Sequence, residues 1–282
     1  MTGATGAAGS DGTRVRGVAD VLAAARSERR AALVGYLPVG FPDVPTSVAA
    51  MQAMVEGGVD IVEVGVPYSD PLMDGPVIQH AVEVALRGGT RTRDVFAATR
   101  GVAQAGAPAL VMTYWNLVDR YGVERFAGDL AAAAGRGLIT PDLIPDEAQE
   151  WLEAAARHDL DRVFLVAPSS TDARLASTTR ACRGFVYAAS TMGVTGTRDS
   201  VGTGARTLVE RTRAVTDLPV CVGLGVSTPA QAAEVAGFAD GVIVGSAFVR
   251  ALASGDSPAA GVAAVKALAA ELAAGVREGV PA

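Results

Sequence analysis

The chain has 282 residues, half of them hydrophobic by count, and a formal charge of −6. That length suits one large α/β domain or two small ones, and an acidic balance with no basic block argues against a nucleic-acid partner. No apolar run reads as long enough to span a bilayer, and residues 1–13, "MTGATGAAGSDGT", lack the charged start and apolar centre of a signal peptide and read as a disordered tail.

Along the chain, short β-rich runs alternate with helical patterns. Residues 14–28 predict an extra helix before the first strand, placed to cover the bottom of a barrel. Strands are predicted near 32–36, 59–65, 108–114, 137–141, 162–167, 184–189, 219–224 and 241–245. Runs such as "RVFLVAP" and "LPVCVGLG" are nearly continuous in apolar residues, as strands covered on both faces should be. The helical stretches between them carry their own boundaries. "DVPTSVAAMQAMVEGG" opens on an Asp cap and a first-turn proline and closes on glycine. "PDEAQEWLEAAARHD" places acids in its first turn and Arg157 and His158 in its last. "TPAQAAEVAG" repeats the Thr-Pro to Gly pattern, and "SPAAGVAAVKALAAELAAGV" is an Ala/Leu/Val helix with one apolar stripe.

About eight strand–helix units over roughly 250 residues fit a (β/α)8 barrel, also called a TIM barrel. A doubly wound open sheet is the alternative. No linker or charge boundary divides the chain, so residues 14–282 read as one barrel domain. Residues 66–79 and 190–203 form longer connections after strands two and six, and such loops often carry function.

The stretch "VDIVEVGVPYSDPLMDGPVIQ" raises the chemical question. Glu63 interrupts an apolar strand, and Asp74 follows on a loop stiffened by Pro67, Pro71 and Pro76. On a strand, Glu63 shares a face with Ile61 and Gly65. If Ile61 points into the barrel, Glu63 crowns the mouth, where barrel active sites lie. A buried carboxylate is paired, protonated or functional. A structural ion pair for Glu63, and simple turn chemistry for Asp74 in "MDGP", are the bland readings. One acid on a rigid strand and one on a movable loop also suit general acid–base work.

Three glycine loops follow the last strands: "GVTGTR", with Gly193 and Gly196; "GLGVSTP", with Gly223 and Gly225; and "GSA", with Gly245 and Ser246. Together they predict a backbone phosphate nest, which needs no lysine. Tight turns are the alternative. Lysine is in any case scarce: Lys266 is the single lysine among 24 basic side chains, and it falls in the last helix, away from any strand end. That disfavours Schiff-base chemistry. His80 and His158, the only histidines, fall on separate helices and are not at ligand spacing, so no metal site is expected. Cys182 and Cys221 are isolated in apolar stretches and read as buried free thiols, which fits a cytoplasmic protein.

The stretch "VEVGVPYSDPLMDGPVIQ" resembles the signature of the tryptophan synthase alpha subunit family. "YLPVGFP", "MTYWNLV", "PDLIPDE", "STMGVTG", "GLGVSTP" and "VGSAFV" resemble that family too, in its order and spacing, over roughly residues 16–275. The resemblance implies retro-aldol cleavage of indole-3-glycerol phosphate to indole and glyceraldehyde 3-phosphate, with no cofactor in this chain. It implies that Glu63 is the principal acid–base residue and that Asp74 polarises the indole nitrogen. Tyr187 would line the site, Thr195 would link loop six to closure over Asp74, and Tyr114 would lie near the substrate. Gly196, Gly225, Gly245 and Ser246 would contact phosphate, with Gly223 in the same loop as Gly225. Asp70 and Asp142 would lie at the contact with a beta subunit in an alpha2beta2 assembly whose pyridoxal phosphate belongs to the partner. Two departures stand out: "YLPVG" replaces the acidic "DP" pair that many members carry after strand one, and Ser190-Thr191-Met192 occupies loop six where some have an arginine. Two other readings remain open: a stand-alone lyase releasing free indole, and an alpha-like regulatory subunit without turnover. A different phosphate-sugar barrel, such as an isomerase, would explain the glycines but not the loop after strand two.

Overall fold

The structure is a computed structural model that describes residues 16–190, 203–223 and 225–279. The expected tail at 1–13 and most of loop six, including Gly193, Thr195 and Gly196, lie outside the described residues.

Eight parallel strands close into a barrel in sequence order. They are β1 (Ala32–Pro38), β2 (Ile61–Gly65), β3 (Ala109–Met112), β4 (Gly137–Thr140), β5 (Asp161–Val166), β6 (Val186–Ala189), β7 (Val220–Gly223) and β8 (Gly241–Val244). Pairing of β1 with β8, Ala32 against Gly241 through Gly35 against Val244, closes the sheet and removes the open-sheet alternative. The helices in chain order are α1 (Val18–Ser27), α2 (Val44–Glu56), α3 (Pro76–Arg87), α4 (Val95–Gln104), α5 (Trp115–Tyr121), α6 (Val123–Ala132), α7 (Gln149–Arg157), α8 (Asp172–Ala181), α9 (Thr203–Arg213), α10 (Pro229–Ala236), α11 (Ser246–Ala253) and α12 (Pro258–Glu278).

The caps behave as the sequence suggests. Asp43 accepts a hydrogen bond from Thr46 N at 2.7 Å ahead of α2. Thr228 accepts one from Gln231 N ahead of α10, and Ser257 one from Ala260 N ahead of α12. Each satisfies an amide that the first helical turn leaves unpaired. The acidic stretch at 145–147 is different: it forms a separate 3₁₀ turn before α7, so the helix starts later than its pattern suggests.

Two apolar layers result. The outer one lies between strands and helices and includes Trp151, Phe126, Phe164 and Phe248. The inner one fills the barrel with Ala32, Val34, Ile61, Leu110, Ile139, Val163, Phe185, Cys221 and Ile243. Val18, Val21, Leu22 and Ala25 of α1 join that inner layer from below, so the extra helix seals the barrel floor as expected. Arg26 at the end of α1 pairs with Asp240 at 2.8 Å, and Asp240 also accepts from Arg213 and Val220 N. Both cysteines are buried and unlinked.

One expectation needs correction. At 21 residues and a mean hydropathy of 1.6, α12 is long and apolar enough to cross a membrane by length and composition. Its alanines lift the average without adding bulk. The helix packs on α2, α10 and α11 along a face that includes Val265, Ala269, Leu272 and Val276. Lys266 on its outside pairs with Glu56 at 2.7 Å.

Because α1 closes the floor through its apolar face, Leu22→Ala should lower the unfolding free energy by about 2–4 kcal/mol, the usual cost of a leucine-sized core cavity. Urea unfolding measures this; a change below about 0.5 kcal/mol, the scale of a surface substitution, would mean that α1 does not complete the core.

Candidate active site

The inward face of each strand is set by the floor. Ile61 belongs to the inner layer, so Glu63 and Gly65 follow it on the same face toward the mouth. Likewise Val34 is followed by Tyr36, and Phe185 by Tyr187. The mouth opens into a cavity of about 460 Å³. Glu63, Asp74, Tyr187, Gly223, Gly225, Gly245 and Ser246 all line it.

Glu63 is 0% exposed, and neither carboxyl oxygen has a hydrogen-bond partner among the described residues. Desolvation alone pushes its pKa up to about 8, so the group holds its proton at neutral pH. Among the described residues nothing stands as the ion-pair partner of Glu63. Asp74 approaches the same cavity from the loop before α3 and is only partly buried. Burial raises its pKa as well. Gln79 Nε2 donates to the Asp74 backbone carbonyl at 2.8 Å and ties the end of the loop to the first turn of α3.

The glycines have distinct parts. Gly225 has φ of 74°, a backbone region that a side chain strains. Gly245 precedes α11, whose first residue, Ser246, lies at the cavity wall, so free amides of a helix start face the cavity. Gly223 makes room for an aromatic ring: a Cβ there would stand 2.5 Å from the Tyr187 hydroxyl. Gly65 does the same for Tyr36.

Three predicted residues do not line the cavity. The Tyr114 hydroxyl accepts hydrogen bonds from Leu72 N at 3.0 Å and Met73 N at 2.9 Å, and so anchors the loop that carries Asp74. Asp142 accepts from Trp115 N at 3.0 and 3.1 Å, at the start of α5. Asp70 lies in a separate groove between that loop and α3, beside Leu72, which is 84% exposed. Lys266 and the histidines stand away from the mouth: His80 is on α3, and His158, at the end of α7, faces Glu124 at 2.8 Å.

The sequence reading passed over Tyr36, Ile78, Met112, Leu165 and Ile243, which supply much of the cavity wall. Strand alternation counted upward from Val34, Leu110 and Val163 would have found Tyr36, Met112 and Leu165, because each repeats the inward parity of the floor; Ile243 belongs to the inner layer itself and Ile78 lies on α3.

A family model described as tryptophan synthase alpha chain matches residues 22–277. The chain belongs to the tryptophan synthase alpha family. Among its relatives, the tryptophan synthase alpha chain of Mycobacterium avium strain 104 is 64% identical over 258 residues, 92% of this chain and 93% of that one. The alpha chain of Mycobacterium tuberculosis H37Rv is 64% identical over 262 residues, 93% and 95% of the two chains. Among solved structures, tryptophan synthase from M. tuberculosis in an open form with BRD0059 bound superposes with a TM-score of 0.85 at 60% identity, covering 92% of this chain and 98% of that one. The alpha chain from Legionella pneumophila superposes at 0.82 with only 29% identity, over 92% and 96%. The barrel geometry of the family thus persists where most side chains have changed.

The sealed Glu63 has a consequence for stability. Its ordinary pKa of 4.5 rises to about 8 on folding. Between those values the folded chain keeps a proton that the unfolded chain loses, so stability falls as pH rises through this window. The slope attributable to Glu63 is up to about 1.4 kcal/mol per pH unit. Glu63→Gln should flatten the profile of the ligand-free chain, as read by urea unfolding at several pH values across the window. Parallel profiles for the two proteins would mean that Glu63 is ionised when folded.

Proposed function

We propose that this member of the tryptophan synthase alpha family cleaves indole-3-glycerol phosphate to indole and glyceraldehyde 3-phosphate, with Glu63 and Asp74 as its proton-handling groups. The enzyme is a carbon–carbon lyase of tryptophan biosynthesis built on a TIM barrel. The observation that carries the assignment of roles is Glu63: a carboxyl group with no partner among the described residues, kept protonated by burial, and lining the same cavity as Asp74.

Bond cleavage requires a proton on indole C3. The Glu63 acid supplies it, which leaves the ring as a cation with its charge centred on the nitrogen. The Asp74 carboxylate faces that nitrogen and stabilises the charge as it develops. The bond between C3 and the first glycerol carbon then breaks, and its electron pair restores the aromatic ring. The hydroxyl on that carbon gives its proton to the Glu63 carboxylate as the aldehyde forms. The proton inventory closes, and Glu63 is ready for another cycle. The protein holds the phosphate at the amides around Gly225, Gly245 and Ser246, so binding energy at the far end of the substrate orients the reacting end. Thr195 and Gly196 of loop six are assigned to the same site by family resemblance alone.

Residues 14–282 are taken as one domain. The beta subunit is the proposed partner, in an alpha2beta2 assembly with pyridoxal phosphate on the beta side; the M. tuberculosis tryptophan synthase structures support it. Asp70 and Asp142, outside the cavity on the mouth side, are assigned to that contact. A cytoplasmic location accords with a biosynthetic enzyme.

Incubation of the purified chain with indole-3-glycerol phosphate should release indole, and no indole with or without a beta subunit would overturn the reading. Glu63→Gln should lower kcat roughly a hundredfold or more, the scale of general acid–base catalysis; near wild-type turnover would remove Glu63 from the mechanism. Asp74→Asn should cost turnover with the melting temperature unchanged. Gly225→Val should raise KM through the phosphate, and an unaltered KM would count against the nest.

A further inference from the structure

Tyr36 takes no part in the proton steps above, yet it is built into the cavity as firmly as the acids. It is 7% exposed and lies on β1 directly across from Glu63 in the strand register. Its ring is held between two glycine backbones. A Cβ at position 65 would stand 2.5 Å from the Tyr36 hydroxyl and 2.6 Å from Cε2, and one at 245 would stand 3.2 Å from Cδ1. Both positions lack that atom, so the ring fits and has little room to swing away. None of the hydrogen bonds among the described residues uses the hydroxyl, which faces the cavity. Burial holds the phenol well above its usual range, with the charge of Asp74 and then that of Glu63 adding to the effect. The group is therefore a neutral donor with no acceptor among the described residues.

Asp74 is the complementary group. Its carboxylate lines the same cavity, on a loop fastened at Leu72 and Met73 by Tyr114 and at its own carbonyl by Gln79. A carboxylate has two oxygens, and one indole N–H can occupy only one of them well. We propose that Tyr36 is a positioning residue for Asp74: with substrate bound, its hydroxyl donates to one Asp74 oxygen and leaves the other for the indole N–H. The rigid strand thereby fixes the orientation of an acid borne on a loop. The assignment rests on the reading that Asp74 faces the indole nitrogen.

The test is a double-mutant cycle on substrate affinity in the full chain, with Glu63→Gln as background so that indole-3-glycerol phosphate binds without being cleaved. Calorimetric Kd values are compared for Tyr36→Phe, Asp74→Ala and the double variant. Tyr36→Phe should weaken binding roughly tenfold, the worth of one hydrogen bond to a charged group. After Asp74→Ala, the same change should cost less than about twofold, because its partner is gone. The melting temperature should not move, since the hydroxyl is unpaired in the free protein. The same coupling should appear in kcat/KM with Glu63 intact. Unchanged affinity for Tyr36→Phe, or a tenfold loss that persists after Asp74→Ala, would overturn the assignment while leaving the lyase reading in place. Failure of the wild-type chain to release indole would overturn both.

Discussion

A carboxyl group stripped of water and given no hydrogen bond is unstable as an anion, and Glu63 is buried with no hydrogen-bond partner among the described residues. The protein accommodates it by keeping the proton. This one constraint organises the mouth of the barrel. It favours the neutral acid at this position over a charged counterion. Asp74, on the loop beside the same cavity, is only partly buried, and burial raises its pKa as well. Two chemically similar groups are separated by burial alone.

The barrel supports this arrangement by dividing its two ends. At the floor, α1 and the inner apolar layer exclude water and fix the parity of each strand. At the mouth the inward positions turn to Tyr36, Glu63 and Tyr187, and glycines on neighbouring strands give the two rings their space. The pattern repeats across the barrel. Tyr36 leans over Gly65 from β1 to β2, and Tyr187 leans over Gly223 from β6 to β7. Small residues here shape a largely apolar cavity through the volume they leave empty. The loop carrying Asp74 is fastened from outside by Tyr114 and Gln79, so this acid is tethered on both sides of its position.

Much of this was legible before any coordinates. Eight apolar runs between capped helices are a local signal, because a strand covered on both faces must be apolar throughout and a helix start must satisfy its amides. The interruption of one such run by Glu63 is equally local, as is the turn that holds Asp74. The floor helix was readable as well, from the helical segment at 14–28 ahead of the first strand.

The sequence by itself therefore determined the alternation of elements, the two acids and the glycine-rich loops, since each follows from backbone hydrogen bonding and residue chemistry over a few neighbours. Only the tertiary structure decided that Glu63 has no partner among the described residues, that Tyr36 faces the same cavity, that Tyr114 braces a loop rather than lining the cavity, and that Gly223 houses a ring. Those are relations between strands far apart in the chain. They depend on barrel closure and on strand register, which bring distant residues to one face and which no short stretch of sequence encodes.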